Sequence, residues 1–257
     1  MTVFEIVYPG TWVELEDRDV AFKVGIYLST IESTFSDAAM AMHLFEQAHE
    51  QQRADLTSRP DCLREADDES EDFWQLAREH GTDGRTLLLE WSKRVVEARR
   101  SHWRAGELPR AYKSRLPFLY ARLFLFSLSS IGRLLEHVSK CDGVPVQARA
   151  AVRDFASAFP TLTALRDSSA HVDERVAGHA RGRQIDLKPV ENQFINAPGG
   201  GVLIVESLVG NRFTGTTADG GVAEIEVGVG SMKRVQECFQ RLLDSLPWSG
   251  PGRLYPE

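Results

Sequence analysis

The apolar residues near the start of the chain repeat at the spacing of an α-helix. Between positions 24 and 45 they follow alternating steps of four and three residues, which puts them on one stripe: Val24, Leu28, Ile31, Phe35, Ala38, Met42 and Phe45. This pattern predicts a helix over about residues 19–52. An acidic helix over 60–79 and a third helix that ends near Gly106 are predicted after it.

The most apolar stretch of the chain lies in the next predicted helix, over residues 109–139. Apolar residues occupy nearly every face between positions 116 and 135, so we expect this helix at the centre of a helical bundle. Pro117 either kinks the helix or marks its true start. Two shorter helices are predicted over 148–159 and 161–177.

After Gly182 the residues alternate between apolar and polar, which is the spacing of β-strands. Turns rich in Gly, Asn and Asp separate three predicted short strands: 202–208, 212–217 and 222–227. An amphipathic helix follows Ser231. The predicted fold class is therefore mainly α, a helical bundle with a small antiparallel three-stranded β-meander and a C-terminal helix appended.

A domain boundary is predicted where the helical pattern ends. Residues 1–182 form the helical domain, and residues 183–257 carry the meander and the last helix. The second part either folds separately or packs as one unit with the first.

Composition and charge indicate an ordinary soluble protein. The chain has 257 residues and a formal net charge of −7, which argues against a sheath for nucleic acid but not against a local basic patch. Its cysteines, Cys62, Cys141 and Cys238, lie far apart without a CxxC pair, so neither a disulfide framework nor a zinc site is indicated. The first residues do not resemble a signal peptide, and the apolar run 116–128 is broken by Arg122. We expect a cytoplasmic protein with no membrane segment.

The candidate chemistry lies in the predicted helix over 161–177, where Arg166 precedes His171 by five positions. Arginine binds phosphate and histidine transfers protons near neutral pH, so the pair supplies the minimum groups for metal-free RNA cleavage. About two such pairs are expected by chance from this composition, so the spacing alone is weak evidence.

On an ideal helix the two residues are about 140° apart in rotation and about 7.5 Å apart along the axis. The predicted buried stripe of this helix is Leu162, Leu165, Ser169, Val172 and Val176. Arg166 and His171 therefore close on one target only if the helix is distorted or if a second copy across a two-fold axis completes the site. We favour the second copy, because symmetric dimers are the commonest assembly.

Two neighbours of the pair are candidates for supporting roles. Asp167 lies four residues before His171, so its carboxylate would face the imidazole on a helix. Ser168 lies one turn before His171 and could hydrogen-bond to the substrate or to the ring. The alternative is an ordinary surface turn in which Arg166 pairs with Asp173 and His171 has no role.

The segment from Arg166 to His171 resembles the signature of the HEPN superfamily of helical domains. That signature is an arginine, usually followed by a polar residue, and then a histidine after four to six positions. Asp167 stands at the polar position. The resemblance covers the helical part, to about Gly182, and rests on this one motif.

The resemblance implies a homodimer whose two motifs form a metal-independent endoribonuclease site at the two-fold interface. His171 would act in acid–base transfer, Arg166 would bind the phosphate, and Asp167 and Ser168 would orient and assist. Such proteins often act as toxins with an antitoxin partner or in phage defence. Other members are non-catalytic modules that bind a protein or a nucleotide, which is the alternative function.

Basic residues extend the positive charge beyond the motif. Arg175, Arg181 and Arg183 form the candidate RNA-binding cluster. A second basic run, over residues 93–115, is either a further nucleic-acid surface or a solvated helix face. The histidines show no ligand spacing that predicts a metal site, and no loop predicts a cofactor.

Overall fold

The computed structural model describes residues 2–57, 84–191 and 195–256, together with Gln75 and Arg78. Apart from those two residues, the acidic helix predicted over 60–79 lies outside the described part. The chain forms two compact units, one of Met1–Glu46 with Phe118–Glu257 and one of Gln47–Pro117. The boundary predicted at residue 182 does not separate these units.

Helix α1 (Arg18–Thr57) contains the predicted apolar stripe. The helix begins after Asp17, whose carboxylate accepts hydrogen bonds from the backbone N–H groups of Asp19 at 2.8 Å and Val20 at 3.2 Å. Such a cap satisfies donors that have no partner within the first turn. Every residue of the stripe is at most 2% exposed, so the helix and its buried face are confirmed.

The unit Gln47–Pro117 contains α2 (Gly84–Arg104) and the short α3 (Arg110–Lys113). Gly106, which follows the end of α2, has a φ of +96°, a conformation that favours glycine. The chain therefore turns where the sequence predicts that the helix ends.

Helix α4 (Leu116–Ser139) is the predicted central helix, but it starts at Leu116 rather than at Pro109. Pro117 lies in its first turn, where a missing N–H removes no helical hydrogen bond. By length and composition alone Arg110–Ser139 could cross a membrane, since its most apolar 18-residue window has a mean hydropathy of 1.4. Within that stretch, 44% of the most apolar window is buried inside the protein. The core helix of a soluble protein has the same properties, so this is weak evidence for a membrane span.

The core of the larger unit brings together helices and strands from both sides of residue 182. Helix α5 (Ala148–Ala158) packs against the last helix, called αC here (Val229–Ser245). The chain ends also pair: β1 (Ile6–Tyr8) with Arg253–Tyr255, and β2 (Trp12–Val13) with Trp248–Ser249. These terminal strands were not predicted.

The predicted helix over 161–177 is wrong in one respect, because it is broken at His171. Helix α6 (Leu162–Ala170) ends there and α7 (Val172–Val176) begins one residue later. His171 has φ −116° and ψ 47°, which lies outside the helical region. The break changes which side chains are buried beyond Ala170.

Short antiparallel strands follow α7. Two hairpins pair β3 (His179–Ala180) with β4 (Arg183–Gln184) and β5 (Val190–Glu191) with β6 (Asn196–Ala197). A three-stranded sheet has the order β7 (Ser207–Val209), β8 (Arg212–Thr216) and β9 (Val222–Glu226). The strand predicted over 202–208 pairs only from Ser207 onwards. The mainly helical fold class is confirmed.

Gly132 of α4 packs against the ring of Phe155, so we predict that Gly132→Ala destabilises the protein. A Cβ at position 132 would lie 2.6 Å from Phe155 Cε1, and that ring is only 6% exposed. Overpacking of this kind lowers the free energy of unfolding by about 1–3 kcal/mol. Denaturant unfolding measures the change.

Gly25 of α1 supplies the matched control. A Cβ there meets nothing within 4 Å, so Gly25→Ala should raise the free energy of unfolding by about 1 kcal/mol through helix propensity. Equal effects of the two substitutions would contradict the packing described for Gly132.

Candidate functional site

Arg166 lies on α6, with its guanidinium partly covered by the protein. Its Nη1 donates to Asp167 Oδ1 at 2.7 Å, and its Cζ lies 5.7 Å from the centre of the Phe126 ring of α4. The side chain is 25% exposed. The buried Nε has no hydrogen-bond partner in the described part of the chain. Arg166 is therefore held by an aromatic ring and a carboxylate, and its side chain keeps exposed surface that an anion can reach.

His171 occupies the break between α6 and α7, and its backbone joins the two helices. Its N–H donates to the carbonyl groups of Asp167 at 3.2 Å and Ser168 at 3.3 Å, which completes the last turn of α6. Its carbonyl accepts from the N–H of Arg175 at 3.2 Å and so starts α7. The residue is exposed. The imidazole is therefore accessible to solvent, where it can exchange protons with a ligand.

The expected contact between Asp167 and the imidazole is not formed. Asp167 binds Arg166 instead, and within the described residues its carboxylate makes no hydrogen bond to His171. The alternative in which Arg166 pairs with Asp173 is not observed either. Asp167 thus orients the guanidinium rather than the imidazole.

Ser168 and Arg175, both candidates from the sequence, form a buried network. Arg175 is 3% exposed and Ser168 is 1% exposed. Arg175 Nε donates to Ser168 Oγ at 2.9 Å, and Ser168 Oγ donates to the carbonyl of Thr216 at 2.6 Å. Arg175 Nη1 donates to the carbonyl of His179 at 2.7 Å. These contacts engage both side chains within the fold, so we assign neither to substrate binding.

The apolar stripe predicted for this segment ends at the break. Leu162, Leu165 and Ser169 are buried as expected, but Val172 is 36% exposed and Val176 is 67% exposed. The break rotates α7, and Arg175 takes the inward position instead. Two valines therefore face solvent next to His171.

Arg181 and Arg183 lie on the β3–β4 hairpin that follows α7. Arg181 and Gly182 form its two-residue turn, with φ values of +52° and +73°. Positive φ at both positions is the requirement of a type I′ hairpin turn. Both arginine side chains are exposed, whereas Glu174 accepts a hydrogen bond from the backbone N–H of Arg181 at 2.7 Å. The hairpin thus carries two guanidinium groups in solvent.

The second basic run, over 93–115, is partly neutralised by its own carboxylates. Lys93 pairs with Glu90 at 2.6 Å, and Glu97 binds Arg104 at 2.8 Å and Arg100 at 3.5 Å. Arg104 and, to a lesser extent, Arg100 hold the pKa of the Glu97 carboxyl below its usual value. These pairs agree with the interpretation as a solvated helix face.

Comparison with known proteins adds no relative: no family model matches the chain, and neither curated proteins nor solved structures give a match. The resemblance to the HEPN superfamily therefore stays a prediction that rests on the motif. In the part of the chain that the structure describes, no group of three His, Cys, Asp or Glu side chains is arranged to hold a metal ion.

The network predicts that Ser168 is a structural residue. Ser168→Ala removes the acceptor of Arg175 Nε and the donor to the Thr216 carbonyl, which leaves buried polar groups without partners. The free energy of unfolding should fall by about 1–3 kcal/mol, as measured by denaturant titration. Ser101→Ala, at an exposed position of α2, is the control and should leave stability unchanged. A Ser168→Ala variant with an unchanged free energy of unfolding would refute this hydrogen-bond network.

Proposed function

We propose that the protein is a metal-independent endoribonuclease whose site is centred on Arg166 and His171. The observation that supports this proposal is that His171 is exposed at the end of α6, five residues after Arg166, whose side chain is itself 25% exposed. An exposed proton-transfer group and a phosphate-binding group on one short segment are what the reaction requires.

In the proposed reaction His171 accepts the proton of a ribose 2′-OH. The 2′ oxygen then attacks the adjacent phosphorus, so that the O2′–P bond forms and the P–O5′ bond breaks. The products are a 2′,3′-cyclic phosphate and a 5′-hydroxyl, which takes a proton from the imidazolium of the second copy. Arg166 stabilises the charge that develops on the phosphate oxygens. Asp167 keeps the guanidinium in place.

A homodimer is part of the proposal, because one motif supplies only one imidazole. Val172 and Val176 lie on α7, just after His171, and both are exposed. Exposed apolar side chains of this kind are typical of an interface that a partner covers. Pairing of these valines across a two-fold axis would bring two copies of His171 towards one substrate.

The exposed arginines of the hairpin, Arg181 and Arg183, are the proposed contacts to the RNA backbone. Guanidinium groups bind phosphate independently of sequence. A cytoplasmic role as a toxin or phage-defence effector, with an antitoxin protein as partner, belongs to the same proposal and rests on the motif resemblance alone.

We predict that the protein cleaves RNA in the presence of chelator and that Arg166→Ala and His171→Ala each lower the rate by about 10²–10⁴-fold. A substrate with a 2′-deoxy ribose at the cut site should resist, since the nucleophile is missing. Gel analysis of end-labelled RNA measures the rates, and Arg149→Ala and His137→Ala, both at exposed positions, are the matched controls.

Equal cleavage by all variants would contradict the assignment. Absence of cleavage by the wild type on diverse RNAs would favour the alternative, a non-catalytic module that binds a protein or a nucleotide. The pair between Arg166 and Asp167 supports that alternative, because it engages part of the guanidinium.

The proposed interface gives a separate prediction. Val176→Glu should convert the dimer to a monomer and abolish cleavage, because a carboxylate cannot be buried without a partner. Sedimentation velocity measures the assembly. Val146→Glu is the control, since Val146 is 64% exposed and Val176 is 67% exposed. A Val176→Glu protein that remains dimeric would refute this interface, and a monomeric wild type would refute the homodimer.

A further inference from the structure

An open groove lies between the first turns of α1 and the paired terminal strands, within the larger unit. It has a volume of about 520 Å³ and is lined mainly by apolar side chains, with Thr11, Ser29 and Arg253 among the polar ones. Nothing in the proposed ribonuclease reaction uses this groove. Its chemistry differs from that of the Arg166–His171 segment.

Large apolar side chains of the groove face solvent. Phe22 is 73% exposed, Trp12 is 66% exposed and Ile26 is 51% exposed. Single exposed apolar residues are ordinary, but three that share one concave surface mark an interaction site. Tryptophan and other aromatic residues are also the side chains that most often dominate binding energy at protein interfaces.

The floor of the groove is built before any partner binds. The rings of Tyr8 and Trp248 pack edge to face with centres 5.8 Å apart, and Trp248 Nε1 donates to the carbonyl of Leu243 at 2.7 Å. Arg253 stacks on Tyr8 at 3.9 Å and forms an ion pair with Glu32. Burial and the nearby Glu32 raise the pKa of Tyr8, so its phenol stays neutral. A preformed floor lowers the ordering cost of binding.

Gly25 leaves the groove open between Phe22 and Ile26. These two side chains are one turn apart on the same face of α1, and a Cβ at Gly25 would meet nothing within 4 Å. Any larger side chain at position 25 would therefore occupy space that a ligand uses.

The chain segment that joins two lining residues of the groove, Val13 and Ala21, is acidic, and we call this segment the rim. Its exposed side chains are the single cation Arg18 and four carboxylates: Glu14, Glu16, Asp17 and Asp19. This charge repels the phosphates of RNA and attracts cationic groups. The groove therefore combines apolar anchoring positions with a negative border.

We propose that this groove binds a basic amphipathic segment of a partner protein, with its apolar side chains over Gly25 and its lysines or arginines against the rim. A helix that presents apolar residues at one face fits such a groove. The partner would bind independently of RNA cleavage. Binding should weaken with added salt, because the rim carboxylates are exposed and screened.

The test uses the full chain and a labelled helical peptide with leucine and tryptophan on one face and lysines on both flanks. A second peptide keeps the apolar residues and replaces each lysine by glutamate. Fluorescence anisotropy should show saturable binding of the basic peptide and at least about tenfold weaker binding of the acidic one. Failure of the basic peptide to bind, or equal binding of both peptides, would overturn the proposal.

Gly25→Met is the decisive variant, because it fills the groove while favouring the helix. The basic peptide should bind at least about tenfold more weakly, although the melting temperature stays the same or rises. Phe22→Ala should act in the same direction, with Met40→Ala, another exposed position of α1, as its control. Unchanged binding of the basic peptide by the Gly25→Met protein would refute the proposed location of the peptide site.

A charge variant tests the rim separately. Neutralisation of Glu14, Glu16 and Asp19 should weaken binding of the basic peptide and reduce its salt dependence; Asp17 is left intact because it caps α1. The control neutralises three exposed carboxylates outside the groove: Glu5, Asp37 and Glu237. Equal loss of peptide binding in both variants would show a general charge effect and would refute the role proposed for the rim. Self-association through the groove, detected as dissociation on Phe22→Glu, would also overturn the proposal.

Discussion

The fold around the candidate site depends on the burial of one cation, the guanidinium of Arg175. A buried charge is stable only when its donors have acceptors, and Arg175 finds them in Ser168 of α6 and in the carbonyl of His179 on β3. Ser168 in turn donates a hydrogen bond to the carbonyl of Thr216 on β8. Arg175 therefore links α6, the β3–β4 hairpin and, through Ser168, the sheet that contains β8.

This constraint accounts for the break at His171. A continuous helix would place Val172 and Val176 on the buried stripe with Leu162 and Leu165, and Arg175 would lie off that stripe. The observed chain does the reverse, because Arg175 is inside and the valines are outside. The group that holds the fold and the group proposed to act on RNA are thus four residues apart but have opposite environments.

Local pattern predicts those parts of the fold whose burial follows a regular period. The stripe of α1 was predictable, since apolar spacing alone determines which face is inside. The break at His171 was not, because it depends on the burial of Arg175 against Ser168, and Ser168 in turn binds Thr216, which lies 48 residues further along the chain. The pairing of the chain ends was likewise not predictable from the sequence, since each terminal strand is only two or three residues long. The Arg181–Gly182 turn did carry a local signal, a glycine at a position of positive φ.

The candidate site was likewise predictable only in part. Arg166 and His171 were identifiable by residue type and spacing, whereas the support of Arg166 by Phe126 joins α6 to α4 and has no sequence signal. The sequence predicted that Asp167 meets His171, but its carboxylate binds Arg166, because both side chains are within reach of a flexible carboxylate. Which of the two it meets is decided by where α6 ends.

Charge separates the two surfaces to which we assign ligands. The hairpin after α7 presents Arg181 and Arg183, whereas the segment 14–19 beside the apolar groove is dominated by carboxylates. In the two proposals, long-range potential directs a polyanion to the hairpin and a cationic protein segment to the groove. Because each surface repels the ligand of the other, one protomer can hold both without competition.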